Sequence, residues 1–217
     1  YSNRGNAYSG KGDHDRAIQD FDQAIKLKPD YVLAFNDRGI AFASKGMADR
    51  AIEDFDRAIL IDPRDAFAYN NRGLAYRNRG ETNRAIKDFD QAILLNANYI
   101  LAYYNRGNAY YDKRDYDRAI RNYDQAITLD PAYALAYYDR GVSYYEKRDY
   151  DRALSDLTQP VKLDPKDSLA RYNRGVTHHA RGEYDQAIAD FNDALKLDGK
   201  SARTYYNRGL AYRAKHD

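Results

Sequence analysis

Two hydrophobic patterns alternate along the chain, both with the period of a helix. In residues 100–133, Leu101, Tyr104, Asn108 and Tyr111 fall on one face, and Tyr103, Gly107 and Tyr110 on another. In the run that follows, Ala119, Ile120, Tyr123, Ala126 and Ile127 are apolar, while Asp117, Arg118, Arg121, Asp124 and Gln125 are polar. The pattern predicts a pair of amphipathic helices. Between them stands a helix terminator, Gly12, Gly46, Gly80 and Gly182 in four units and Arg114 and Arg148 in two. Pro29, Pro63, Pro131 and Pro165 close the second helix, with Ala97 and Gly199 in that place elsewhere.

The pair recurs. Asn105-Arg106-Gly107 reappears as Asn3-Arg4-Gly5, Asp37-Arg38-Gly39, Asn71-Arg72-Gly73, Asp139-Arg140-Gly141, Asn173-Arg174-Gly175 and Asn207-Arg208-Gly209, with successive glycines 34 residues apart. A fixed period of this length is the mark of stacked repeats. Gly107 and Ala119, with their equivalents, remove bulk where the two helices must cross closely. The column Phe21, Phe55, Phe89, Tyr123 and Phe191 then fills the space between them. Burying such a ring contributes about 1.5–3 kcal/mol. One unit cannot cover its own apolar face, so stability must come from stacking on neighbours.

Within the unit, Tyr103-x-x-Arg106-Gly107-x-x-Tyr110, then Ala119-x-x-x-Tyr123, Ala126 and Pro131, closely resembles the tetratricopeptide repeat. The match covers essentially the whole chain. Two columns depart from the commonest form: Tyr or Phe replaces the early Trp, and Arg replaces the apolar residue before the Gly. The resemblance implies an all-α, right-handed superhelical solenoid of helix-turn-helix repeats. The expected organisation is a single array: a partial unit at 1–31, units at 32–65, 66–99, 100–133, 134–167 and 168–201, and the first helix of another at 202–217.

Composition narrows the function classes. Lys and Arg number 35 against 33 Asp and Glu, a net charge of +2, whereas a nucleic-acid binder is expected to carry a basic excess or stripe. There is no cysteine, hence no disulfide and no thiolate metal site. No apolar run approaches the ~20 residues needed to span a bilayer, so no membrane partner is expected. His178 and His179 point about 100° apart on a helix and cannot readily chelate one metal. The Asp-rich second helices read as a solvated face. Phosphate loops, nucleophile elbows and zincin motifs are missing from the sequence. The expectation is a non-enzymatic protein with no cofactor and no metal.

In the family, the face of each first helix that points away from its partner lines a concave groove that binds extended peptides. Here the matching columns supply Asn70, Asn71, Leu101, Tyr104, Asn105, Asn108, Tyr111, Tyr138, Asp139, Tyr145, Glu146, Tyr172 and Asn173. An asparagine amide both donates and accepts, so it can hold a peptide unit whatever the side chain. Tyrosine offers broad contact with few rotatable bonds. The lining therefore suits a protein or peptide ligand, unless these side chains bond to one another along the stack. Asp112, Asp139 and Glu146 favour a basic ligand. The cations that some family members use to clamp a C-terminal carboxylate are replaced by leucine, tyrosine, asparagine and aspartate.

Three further expectations concern structure. The arginine column, Arg4 to Arg208, should pair with second-helix aspartates such as Asp20, Asp54 and Asp88. Pro160 should kink its helix or cost on the order of 3 kcal/mol, in a packing change shared with Leu157, Arg171 and His178. The last helix keeps Tyr205, Tyr206, Leu210 and Tyr212 with no second helix to cover them. It therefore reads as cut from a longer protein or as packing on another molecule, and a homo-oligomer joined through terminal helices is the alternative to a peptide-binding scaffold.

Overall fold

A computed structural model describes residues 1–216; every regular element among them is an α-helix. The chain forms two compact units, Tyr1–Lys113 and Arg114–Asp217. The first holds α1 (Ser2–Gly10), α2 (His14–Leu27), α3 (Val32–Ser44), α4 (Ala48–Ile61), α5 (Ala66–Asn78), α6 (Thr82–Leu95) and α7 (Ile100–Asp112). The second holds α8 (Tyr116–Leu129), α9 (Ala134–Glu146), α10 (Tyr150–Leu163), α11 (Ser168–Ala180), α12 (Tyr184–Leu197) and α13 (Ala202–His216). Within each unit every helix packs on the next. The odd-numbered helices also touch one another, α1 on α3, α3 on α5 and α5 on α7 in the first unit, and α9 on α11 and α11 on α13 in the second.

The glycine and aromatic columns meet as their sizes require. A Cβ placed on Gly5, Gly39 or Gly73 would stand 2.7, 2.7 and 2.6 Å from Cε1 of Phe21, Phe55 and Phe89. In the second unit Gly175 faces Phe191 and Gly141 faces Leu157, each at 2.9 Å. The rings are fully buried. Alanines on both helices complete the contact: Phe42, Ala51, Ile52, Phe55, Ala75, Ile86 and Phe89 form one continuous cluster in the first unit.

Turns end the first helices by a shared device. The amide of Gly46 bonds the carbonyl of Ala43, and that of Met47 the carbonyl of Phe42, with Gly46 at φ +74°. Arg148 builds the same turn, its amide on Tyr145 and that of Asp149 on Tyr144, at φ +61°, and Arg114 adopts φ +59°. A side chain in this left-handed region clashes with its own backbone. Second helices start on carboxylates: Asp13, Asp115 and Asp149 accept the amides of Arg16, Arg118 and Arg152.

Pro160 does not break its helix. α10 runs through it to Leu163, and the amide of Asp164 still bonds its carbonyl at 2.8 Å. The four irregular residues are tied differently. Leu157 fills the ring's place over Gly141. Arg171 donates to the carbonyl of Pro165 in the turn behind α10 at 3.0 Å. His178 Nδ1 lies 2.6 Å from Glu183 at the start of α12.

Replacing Arg148 with glycine should relieve the left-handed strain and raise stability by about 1 kcal/mol, net of the freedom glycine adds to the unfolded chain; an unchanged or lower urea midpoint would contradict this. The Arg16, Arg118 and Arg152 side chains hold the carboxyls of Asp13, Asp115 and Asp149 below their ordinary 3.8. A carboxyl lowered in the folded state adds stability that is complete above its unfolded value and fades as pH drops through the folded one. Melting temperature should therefore decline below about pH 4, with a shallower acid limb in Asp149→Asn, which keeps a capping side chain but cannot titrate.

Candidate functional site

The arginine column is structural. Arg4, Arg38, Arg72, Arg140 and Arg174 each grip the buried aspartate sixteen residues on with two parallel bonds, those of Arg38 to Asp54 measuring 2.8 and 2.6 Å. The free arm of the guanidinium reaches back to the preceding second helix: Arg38 to Asp22 at 2.5 Å, Arg72 to Asp56, Arg106 to Asp90 and Arg140 to Asp124 at 2.6 Å. One side chain thus ties three helices. Burial pushes the carboxyls of Asp54 and Asp156 above the usual range although their arginines pull them down. Such a pair sets position more than it adds stability.

A second ladder repeats at a spacing of thirty residues. Lys45 meets Asp15, Arg79 meets Asp49 at 2.5 Å and Lys113 meets Asn83 at 2.6 Å in the first unit. Lys147 meets Asp117, Arg181 meets Asp151 at 2.9 Å and Lys215 meets Asp185 at 2.6 Å in the second. These links join the C-terminal ends of odd-numbered helices to the starts of second helices one repeat earlier, at the solvent surface.

In the first unit the candidate surface belongs to α3, α5 and α7. Asn70 and Asn105 lie beneath it, both buried, with Asn105 Nδ2 donating to Asn70 Oδ1 at 2.9 Å. Asn36 is buried likewise and donates to Asp65 at 2.6 Å, while Asp65 caps α5 through the amides of Phe67 and Ala68. The upper layer is Leu101, exposed, with Asn71, Tyr104, Asn108 and Tyr111 half-buried. Asp112 is bonded by both arms of Arg77, at 2.6 and 3.1 Å, so its charge is compensated within the unit.

Between α3 and α5 the same face opens into a cleft of about 320 Å³, lined by Ile40, Ala43, Ser44, Asn71, Leu74 and Asn78 over Phe55 and Ala75. Ala43 makes the room, because its column carries Arg77, Tyr111, Tyr145 and His179 in later repeats. Asn71 Nδ2 is buried at the cleft without an acceptor. Sequence reasoning passed over Ala43 and Ser44, whose only signal is smallness where neighbours are large.

The second unit interlocks its candidates differently. Asn173 donates to the hydroxyl of Tyr138 at 2.5 Å, and Asn207 to that of Tyr172 at 3.1 Å. Tyr145 packs against Tyr150 with the two rings tilted by 51°, and burial raises its hydroxyl pKa. Glu146 is exposed and Asp139 half-buried. Among the described residues no group of three or more His, Cys, Asp and Glu is placed to hold a metal ion, and no helix is long and apolar enough to cross a membrane.

Stacked helix pairs on a 34-residue period, with a glycine opposite Phe21, Phe55, Phe89 or Phe191 in four of them and opposite Leu157 in another, define an α-helical repeat protein. Models of the tetratricopeptide repeat match residues 1–31, 55–87, 73–113, 107–148, 138–202 and 178–216. The chain belongs to the tetratricopeptide repeat family. No curated protein sequence matches it. Among solved structures it resembles MamA at 29% identity, covering 76% of this chain and 96% of that one with a TM-score of 0.66. YrrB, described as a TPR protein with an unusual peptide-binding site, matches at 20% identity over 87% of this chain and 97% of its own, with a TM-score of 0.71. The C-terminal part of a TPR repeat-containing protein from Cytophaga hutchinsonii matches at 16% identity over 96% and 83%, with a TM-score of 0.75. These neighbours share the all-α repeat fold.

Arg38→Met should cost about 3 kcal/mol, because Asp54 is left buried without its partner. Arg38→Met with Asp54→Leu should recover most of that loss. If the single variant unfolds at the wild-type urea midpoint, the arginine column has another role.

Proposed function

We propose that the protein is a non-enzymatic interaction scaffold that holds an extended peptide segment of a partner protein along the faces of its odd-numbered helices. The cleft between α3 and α5 carries this reading. It offers an apolar recess of side-chain size beside an amide donor with no acceptor of its own, the combination that a peptide side chain and its carbonyl would satisfy. Leu101, Tyr104, Asn108 and Tyr111 extend the surface within the first unit, while Asn70 and Asn105 support it from below. In the second unit Tyr138, Tyr145, Tyr172 and Asn173 supply the lining, and Asp139 and Glu146 favour a ligand with lysine or arginine there. Reading all the repeats as one array belongs to the same proposal. A peptide-binding site is described for the neighbour YrrB, which makes this use of the fold reasonable here.

A second reading, self-assembly through terminal helices, draws on the exposure of Tyr205, Tyr206 and Tyr212 on α13. Light scattering that grows with protein concentration would favour it over a monomeric binder.

Peptides selected from a random displayed library on the wild-type protein provide the test. Their affinity should fall about tenfold or more in Ala43→Tyr, which fills the cleft with the ring that later repeats carry there, and again in Tyr104→Ala. Peptides that bind both variants like the wild type would place recognition elsewhere. Selected sequences should be rich in lysine and arginine, and Asp139→Lys with Glu146→Lys should weaken those that are.

A further inference from the structure

The cleft between α3 and α5 stands where two columns of the repeat lose their rings together. One column lies near the end of each first helix, the other at the start of each second helix. In the second unit their members pair: Tyr145 with Tyr150, ring centroids 5.6 Å apart, and His179 with Tyr184 at 5.5 Å. Tyr111 and Tyr116 hold the same columns in the fourth repeat, and Arg77 and Thr82 in the third. In the second repeat both are alanine, Ala43 and Ala48. The space beside Ala43 is the cleft.

The lining fits what those columns lack. Ile40 and Leu74 are aliphatic, and Phe55 and Ala75 lie behind them. A cavity of roughly 150 Å³ lined by such residues holds benzene, so a cleft of about 320 Å³ has room for the ring of a tyrosine or phenylalanine. Ser44 and Asn78 also line it and are exposed, which gives a phenol hydroxyl polar neighbours. Asn71 Nδ2, buried there without an acceptor, carries two hydrogens. One can take a peptide carbonyl, and the other can meet the negative face of a ring, which an aliphatic side chain does not offer. Between α1 and α3 the corresponding places are polar: Asn6, Ser9 and Asp37, with Asn6 bonding Asp37.

We infer that the α3–α5 cleft is an aromatic subsite, which takes the side chain of one tyrosine or phenylalanine in the bound segment. The ligand thus supplies the ring that the chain itself supplies at Tyr111 and Tyr145. This inference rests on reading the faces of the odd-numbered helices as a peptide site, and it fixes the kind of residue that must sit at α3 and α5.

The first probe is p-cresol, the tyrosine side chain with a methyl cap, compared with 4-methylcyclohexanol, which has the same skeleton but no aromatic face. With the full-length protein, p-cresol should shift the methyl resonances of Ile40, Ala43 and Leu74 saturably. It should bind about two- to tenfold more tightly than 4-methylcyclohexanol, the margin that aromatic contacts add beyond buried area. Ala43→Tyr with Ala48→Tyr restores the pair that Tyr145 and Tyr150 form. It should abolish the shifts at Ile40 and Leu74 while the urea midpoint stays the same or rises. Equal affinity for the two probes, no saturable shift at these methyls, or shifts that persist in the double variant would overturn the proposal. Library peptides that need Ala43 but carry leucine or isoleucine in place of an aromatic residue would also overturn it, and would leave the peptide site standing. Aromatic-selective binding of p-cresol with no peptide selected at all would uphold the ring site and remove the peptide reading.

Discussion

The close approach of a glycine to an aromatic ring is the contact on which both units depend. With a Cβ at Gly73 the edge of Phe89 would lie 2.6 Å away, nearer than atoms can stand, so the crossing exists only because that side chain is missing. The ring in turn occupies the volume between two helices and is fully buried by it. Alanines such as Ala75 and Ala85, also buried, bring the backbones close enough for the ring to fill the gap without a void. Where phenylalanine gives way to leucine at Leu157, the branch point of the smaller side chain moves into the same place over Gly141.

That crossing explains why an arginine can hold the column before the glycine. Standing next to the point of closest approach, Arg38 is within reach of Asp54 on its own second helix and of Asp22 on the preceding one. An apolar residue there would pack but could not distinguish one rotation of the neighbouring helix from another. Two parallel bonds to one carboxylate and a third to another carboxylate can do so, because a guanidinium is planar and its donors are fixed. The raised carboxyl of Asp54 shows that the arrangement carries a desolvation cost. Specific placement of each helix on the last is what that cost secures, with the thirty-residue ladder adding weaker, exposed links.

Features that repeat were legible in the sequence, and features that depend on differences between repeats were not. The helix pairs, the glycine turns, the arginine column and its aspartate partners all follow from residues present in nearly every unit. Asn70 and Asn105 were expected in the groove lining by column, and their burial was not legible, because they bond to one another between neighbouring repeats, Asn105 to Asn70. Asp112 read as an uncompensated acid until Arg77, one repeat earlier and on a different helix, proved to be its partner. The cleft was invisible for a related reason. Ala43 is unremarkable alone and matters only because Arg77 and Tyr111 are large.

This division suggests where specificity can reside in a protein built from near-identical units. Columns that make the crossing vary little, and where one does, as at Leu157, the replacement must fill the same place over the glycine, so any recognition is left to columns that the crossing does not use. Two of these change along the chain. The column of Asn36 and Asn70 becomes tyrosine at Tyr104, Tyr138 and Tyr172, turning a buried amide bonded to its neighbour into a ring that rises toward the surface. The column of Ala43 moves from a gap, through Arg77, to the rings of Tyr111 and Tyr145. An extended ligand crossing these helices would meet a recess and an amide donor at α3 and α5, then aromatic surface at α7. A polymer of identical repeats would offer the same site at each step and could not set the register of what it binds. On the proposed reading, the changes in these two columns would give a ligand one position along the face in preference to the next.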